Sequence, residues 1–241
     1  MNDYAIRLQE NAQPFAVTAP RRLPLPMKEK VQEELKKLEV QDIIRPVETP
    51  TDWCAPIVAV QKPNGKVRLY IDFRKLNESV RREIFPLSTA DQLLAQLNGV
   101  IVFTKLDCNS GFHQIPLHPE SQELTTFITP FGQYCYKCLP FGISSGPEVF
   151  HREMTHILEG IPGIICDIDD VLAFGRNQQE HDSRLRIVLQ KMKEAGVTLN
   201  EKCKFSIDSV KFLGHMISKE GIQMDPEKVQ AISNFPRPTN I

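Results

Sequence analysis

The chain has 241 residues, 41% of them hydrophobic and 24% charged, with a formal net charge of −1. That length can bury a real core in one or two domains, and the composition is that of a globular protein. The near-neutral balance argues against a nucleic-acid binder of the uniformly basic kind, and no apolar run approaches a membrane span, so no membrane partner is expected. The start Met1-Asn2-Asp3 is not a secretory signal. The six cysteines, Cys54, Cys108, Cys135, Cys138, Cys166 and Cys203, show no disulfide framework. Both features fit an intracellular protein. Cys135 and Cys138 make a Cys-x-x-Cys without a second ligand pair, and read as strand residues rather than zinc ligands.

In chain order, the segment through Pro26 is Pro-rich and reads as an extended arm. Met27, Val31, Leu35 and Leu38 recur at helical spacing among Lys and Glu, which gives an amphipathic helix. Residues 55–60 and 67–73 are strand-like, with Lys62-Pro63-Asn64-Gly65-Lys66 as the turn between them. Ser88 and Asp91 read as a helix cap before Leu93, Leu94 and Leu97, with Gly99 as the stop. A strand over 100–107 follows, then Asn109-Ser110-Gly111 as a loop. Residues 125–129 and 134–138 form a hairpin around Pro130-Phe131-Gly132-Gln133. Pro147 opens a helix containing Phe150 and Met154. Leu185, Val188, Leu189 and Met192 mark a longer helix closed by Gly196. Residues 210–217 read as a strand, and Asp225-Pro226 caps a last helix. Hairpins mixed with separate helices predict an α+β fold.

Three acidic residues crowd into Asp167-Ile168-Asp169-Asp170, with Gly163-Ile164-Ile165-Cys166 before and Val171-Leu172-Ala173-Phe174 after. The apolar flanks read as two strands and the tetrad as their turn. Adjacent carboxylates resist burial without a counter-charge, and a hard divalent cation such as Mg²⁺ supplies one. Asp107, at the end of Val102-Phe103-Thr104-Lys105-Leu106-Asp107, is the third candidate ligand. A solvated turn explains the tetrad alone equally well. A helix-loop-helix calcium site does not, since Leu172 and Gln178 stand where it needs Gly and Glu. Residues 107–170 hold two basic residues, Lys137 and Arg152, against nine acidic ones. Lys62, Lys66, Arg68, Arg74, Lys75, Arg81 and Arg82 precede this centre, and Lys202, Lys204 and Lys211 follow it. Such a distribution suits an enzyme that holds metal centrally and grips phosphates around it.

Five blocks then arrive in order: residues 67–77 (VRLYIDFRKLN), Lys105-Leu106-Asp107 through Ser110-Gly111-Phe112-His113-Gln114-Ile115, Leu139-Pro140-Phe141-Gly142, Asp167-Ile168-Asp169-Asp170, and Phe212-Leu213-Gly214-His215. Together they resemble the reverse transcriptases of long-terminal-repeat retroelements, most closely the gypsy class, from about the first helix to the chain end. The resemblance implies a right-hand polymerase fold with an antiparallel palm sheet backed by helices. Fingers would be 1–81 and 115–145, palm 82–114 and 146–220, and 221–241 the start of a truncated thumb, with the reverse transcriptase core at about 58–217.

The resemblance also implies roles. Asp107, Asp169 and Asp170 would be the catalytic, metal-holding carboxylates for two Mg²⁺ ions, with Mn²⁺ as a substitute. Lys62, Arg68, Phe112 and Phe141 would contact the deoxynucleoside triphosphate, Phe112 excluding a 2′-hydroxyl by its ring. Pro140 and Gly142 would shape the floor under the templating base, and Phe212, Leu213, Gly214 and His215 would press on the primer. The partners would be an RNA or DNA template with its primer, with RNase H, integrase and protease on a parent polyprotein. The location would be cytoplasmic, with access to the nucleus. A decayed or repurposed palm domain is the alternative. One departure stands out: the family's aromatic two places before the Asp pair is replaced here by Asp167.

Overall fold

The protein is represented by a computed structural model, in which residues 1–61, 65, 67–86 and 88–235 are described. Of the expected turn at 62–66, only Gly65 falls within the described residues, and Lys62 lies outside them. In chain order the elements are α1 (Leu25–Val40), β1 (Ile44–Pro46), β2 (Ala55–Gln61), β3 (Val67–Ile71), α2 (Arg74–Ser79), α3 (Ala90–Ala95) and β4 (Val102–Asp107). A 3-10 turn at Gly111–Gln114 leads to α4 (Pro119–Gln122), β5 (Phe127–Thr129), β6 (Gly132–Tyr136) and α5 (Gly146–Leu158). Next come β7 (Ile164–Asp167), β8 (Asp170–Gly175) and α6 (Gln178–Glu194). The chain then forms β9 (Lys204–Ile207), β10 (Ser209–Phe212), β11 (His215–Ser218), β12 (Gly221–Met224) and α7 (Pro226–Ser233).

Two compact units divide these elements: Met1–Phe85 with Ser110–Glu153, and Pro86–Asn109 with Met154–Ile241. The first is built on a five-stranded sheet in the order β1-β6-β5-β2-β3. Val31 and Leu35, one turn apart, are the buried face of α1. The N-terminal arm is extended, and short bridges pin it at Tyr4 to Leu117, Leu8 to Val80 and Ala16 to Cys54. Tyr4 and Ile6 are buried by this path.

The second unit holds a four-stranded sheet, β7-β8-β4-β9, and a three-stranded one, β10-β11-β12. Phe103, Leu172 and Phe174 from the first pack with Val210, Phe212 and Ile217 from the second, and α3 adds Leu93, Leu94 and Leu97. On α6, His181 is wholly buried and its Nε2 lies 2.9 Å from the Thr104 hydroxyl, which fixes that helix to β4.

Several boundaries differ from the sequence reading. The expected strand over 210–217 is two strands, because Leu213 and Gly214 both take positive φ, 49° and 76°, and close a two-residue hairpin turn. The cap of α3 is Thr89 rather than Ser88, and Gln92 rather than Asp91 completes its reciprocal pair of hydrogen bonds. Residues 125 and 126 lie in and just after a 3-10 turn (Glu123–Thr125), where Thr125 and Thr126 hydroxyls bond the carbonyls of Gln122 and Glu123, so the first hairpin strand starts only at Phe127. The short elements β1, α2, β9 and β12 carry too little periodicity to stand out in the sequence.

Candidate functional site

Asp107 closes β4 and Asp170 opens β8, and the two stand directly opposite in the ladder. On its other side Asp170 pairs with Asp167, the last residue of β7. Directly opposed residues of antiparallel strands share one face of a sheet. Asp167, Asp170 and Asp107 therefore form a row of carboxylates across three adjacent strands. Asp169 lies in the turn between β7 and β8, next to Ile168, whose φ of 50° is costly for a β-branched residue. Such a conformation survives only where the surrounding structure imposes it.

Carboxylates opposed across a sheet repel. Two nitrogen groups offset this. Lys105 sits two residues before Asp107 on β4, hence on the same face, and its Nζ lies 2.7 Å from Asp170 Oδ2. The side-chain amide of Asn200 donates to Asp107 Oδ1. The Asp169 carboxyl is raised from its ordinary value, first because surrounding protein partly desolvates it although the residue is exposed at the surface, and then because Asp170 and Asp107 are negative nearby. Burial, followed by the charges of Asp169 and Asp107, pushes the Cys108 thiol up to about 12, which keeps it a neutral packing group.

Among the described residues no three His, Cys, Asp or Glu side chains converge tightly enough to cage an ion as they stand. The donor chemistry nevertheless fits a hard divalent cation. The row offers only carboxylate oxygens on one face, its negative charge exceeds what Lys105 balances, and Asp169 feels the excess. Asp107, Asp169 and Asp170 are the candidate ligands.

The nucleotide-contact candidates other than Lys62 lie in the first unit. The rings of Phe112 and Phe141 have centroids 4.9 Å apart, and Phe112 also packs on Phe150 at 5.8 Å. Phe112 is 8% exposed and Phe141 39%, so Phe141 is the more open of the pair. Gly111 and Gly146 leave space for these rings: a Cβ on Gly111 would fall 2.7 Å from Phe150, and one on Gly146 3.4 Å from Phe112. Pro140 is buried, and Gly142 is exposed with a φ of 99° that favours glycine. The Gly142 carbonyl accepts from Asn77 Nδ2 at 2.7 Å. Arg68 is exposed on β3, with its guanidinium 5.2 Å from the centre of the Tyr70 ring.

In the second unit, Phe212 is 1% exposed and belongs to the core, so its side chain supports the β10–β11 turn from within. Leu213 and Gly214 form the turn itself, and His215 Nδ1 lies 3.0 Å from the Leu213 carbonyl oxygen. Sequence reasoning quoted Lys105 but gave it no role, although strand alternation already placed it on the face of Asp107. Asn200 carried no signal, because it stands 93 residues from Asp107 in a turn without periodicity.

Residues 60–217 match the family model described as reverse transcriptase (RNA-dependent DNA polymerase). The chain is 35% identical over 226 residues to the Pol polyprotein of transposon opus from Drosophila melanogaster, covering 90% of this chain and 22% of that protein. It is 37% identical over 217 residues to that of transposon gypsy from the same fly, covering 86% and 21%. A Tf2-3 polyprotein of Schizosaccharomyces pombe is 32% identical, covering 91% and 17%. The chain thus spans about a fifth of these polyproteins' length. In fold it is similar to a foamy viral protease-reverse transcriptase solved with double-stranded DNA, at a TM-score of 0.85 and 24% identity, covering 99% of this chain and 49% of that one. A second structure of that viral protein with double-stranded DNA gives 0.81 and 26%, covering 97% and 42%. The two units are the α+β polymerase fold, and this chain belongs to the reverse transcriptase family.

Proposed function

We propose that the chain is the polymerizing part of a gypsy-type Pol polyprotein, adding deoxynucleotides to a primer 3′-hydroxyl on an RNA or DNA template. The observation that carries this reading is the registration of Asp107 against Asp170 with Asp169 at the adjoining turn. Asp107, Asp169 and Asp170 would hold two Mg²⁺ ions, or Mn²⁺ in their place, which when bound would make the primer hydroxyl easier to deprotonate and balance the charge of the departing pyrophosphate. The primer oxygen bonds to the α-phosphorus as the bond to pyrophosphate breaks, and the protein's own share is positioning and charge.

In this reading residues 1–81 and 115–145 are the fingers and residues 82–114 and 146–220 the palm, with β12 and α7 leading toward a thumb. Phe112 presents a ring that leaves no room for a 2′-hydroxyl, buttressed by Phe141. Arg68 offers a fork to phosphate oxygens, and Lys62 a point charge. Pro140 sits beneath the exposed Phe141-Gly142 surface that faces the templating base. The Leu213-Gly214 turn and His215 press on the primer, with Phe212 as their internal support. RNase H, integrase and protease accompany the chain on its parent polyprotein, and synthesis takes place in the cytoplasm with nuclear access afterwards.

The test is primer extension on an RNA template with Mg²⁺ and deoxynucleotides, for this chain and for a version carrying its downstream thumb. Extension that disappears in Asp169→Asn supports the reading. A folded protein inactive in both forms supports instead a repurposed palm domain that binds without catalysis.

A further inference from the structure

Resting on the reading of Asp107 as a metal ligand, we infer that Asn200 is a positioning residue that fixes the Asp107 carboxylate for the cation. Along β4 the pairing with β9 is irregular: Lys105 opposes Lys204, with a register shift between Phe103 and Lys105. At Asp107 the turn before β9 takes over. Asn200 N–H donates to the Asp107 carbonyl at 3.0 Å, and Asp107 N–H donates to Cys203 Sγ at 3.3 Å. Cys108 bridges to Leu199, and Asn109 N–H donates to the Thr198 carbonyl at 3.0 Å. Residues 198–203 thereby close around the end of the strand.

Within that turn the Asn200 side chain uses both ends. Its Oδ1 accepts the Lys202 N–H at 2.7 Å, which sets the direction of the amide and turns its Nδ2 toward Asp107 Oδ1. A carboxylate oxygen that accepts one N–H retains a further lone pair, so the bond orients Asp107 without occupying it. The amide is also uncharged. Lys105 neutralises Asp170, whereas Asn200 orients Asp107 and leaves its charge intact. Partners of this kind usually account for about 10- to 100-fold in metal affinity.

Mn²⁺ binding to the chain, followed by electron paramagnetic resonance of the free ion, tests this alongside metal-free thermal midpoints. Asn200→Ala removes both bonds of the side chain. Asn200→Ser keeps an acceptor for Lys202 N–H but is one atom too short for the bond to Asp107. Both variants are expected to bind Mn²⁺ about 10-fold more weakly. Wild-type affinity in either variant, once folded, overturns the inference, whatever happens to its melting temperature. Should Asn200→Ala fail to fold, Asn200→Ser decides alone. Asp107→Asn separates the two levels: if it leaves Mn²⁺ affinity unchanged, or if wild type binds no Mn²⁺, the ligand reading itself falls.

Discussion

Lys105 and Asp170 are joined diagonally across β4 and β8 by an ion pair of 2.7 Å, although the direct cross-strand partner of Lys105 is Leu172. The diagonal reach places the ammonium in the row where Asp170 faces Asp107 on one side and Asp167 on the other. Lys105→Met should therefore lower metal-free stability. The Asp170 side chain is 38% exposed, so solvent screening limits the loss to ~1 kcal/mol. Denaturant unfolding at low and high salt checks this, and the gap between variant and wild type should narrow as salt rises.

Asp167 adds a carboxylate to a face that must approach a phosphate backbone if the proposed function holds. Asp167→Tyr removes a negative charge from this face, so it should tighten primer binding while raising the Mg²⁺ concentration needed for half-maximal extension by about 3- to 10-fold, the scale of one nearby charge. Identical Mg²⁺ curves and primer affinities for the two proteins would show that position 167 does not govern either.

Burial pushes the His113 imidazole from 6.5 down to about 4, and among the described residues its Nε2 has no hydrogen-bond partner. Between those values the unfolded chain binds the proton and the folded one does not, so His113 supports the fold fully above pH 6.5 and progressively less as pH falls toward 4. Asp72, which the Arg74 side chain holds at about 2, titrates below this window. His113→Phe should therefore lose less stability than wild type between pH 7 and pH 5, by on the order of 2 kcal/mol. Equal losses in the two proteins would refute the assignment.

Phe112→Ala tests the sugar gate. Removing the ring should raise use of ribonucleotides relative to deoxynucleotides by about 10- to 100-fold, the usual value of a steric contact in a pocket. Single-nucleotide incorporation with paired ribo- and deoxyribonucleotides measures it. An unchanged ratio would mean that Phe112 is only a core ring between Phe141 and Phe150.

The turn at Ile168 offers a stability test. Asn tolerates the left-handed conformation that Ile168 holds at a φ of 50°. Ile168→Asn should stabilise the folded state by ~1 kcal/mol, provided the lost burial of a half-buried side chain is small. A lower unfolding midpoint would show that packing at Ile168 outweighs its backbone strain.

The acidic hairpin was legible because two short apolar runs frame it, and that pattern fixes which residues can pair. Capping was half legible: the pattern announced a helix start, but Ser88 and Thr89 are adjacent and equally suitable, so only geometry chose Thr89. The run over 210–217 hid a turn, since Leu213 is apolar and takes a conformation that its residue type disfavours. Asn200 was silent for a different reason. Its significance comes wholly from a contact 93 residues away, which no local periodicity encodes.

The pinned N-terminal arm has a consequence for how the chain is made. Ile6 N–H donates to the Ser121 hydroxyl, a partner 115 residues later. At ribosomal speeds of about 5–20 residues per second, that partner is synthesised roughly 6–23 s after Ile6. Through this interval Tyr4 and Ile6, buried in the folded chain, lack part of the surface that covers them. On this timing the arm's docking is expected to follow synthesis of the segment that holds Ser121, a partner far along the chain.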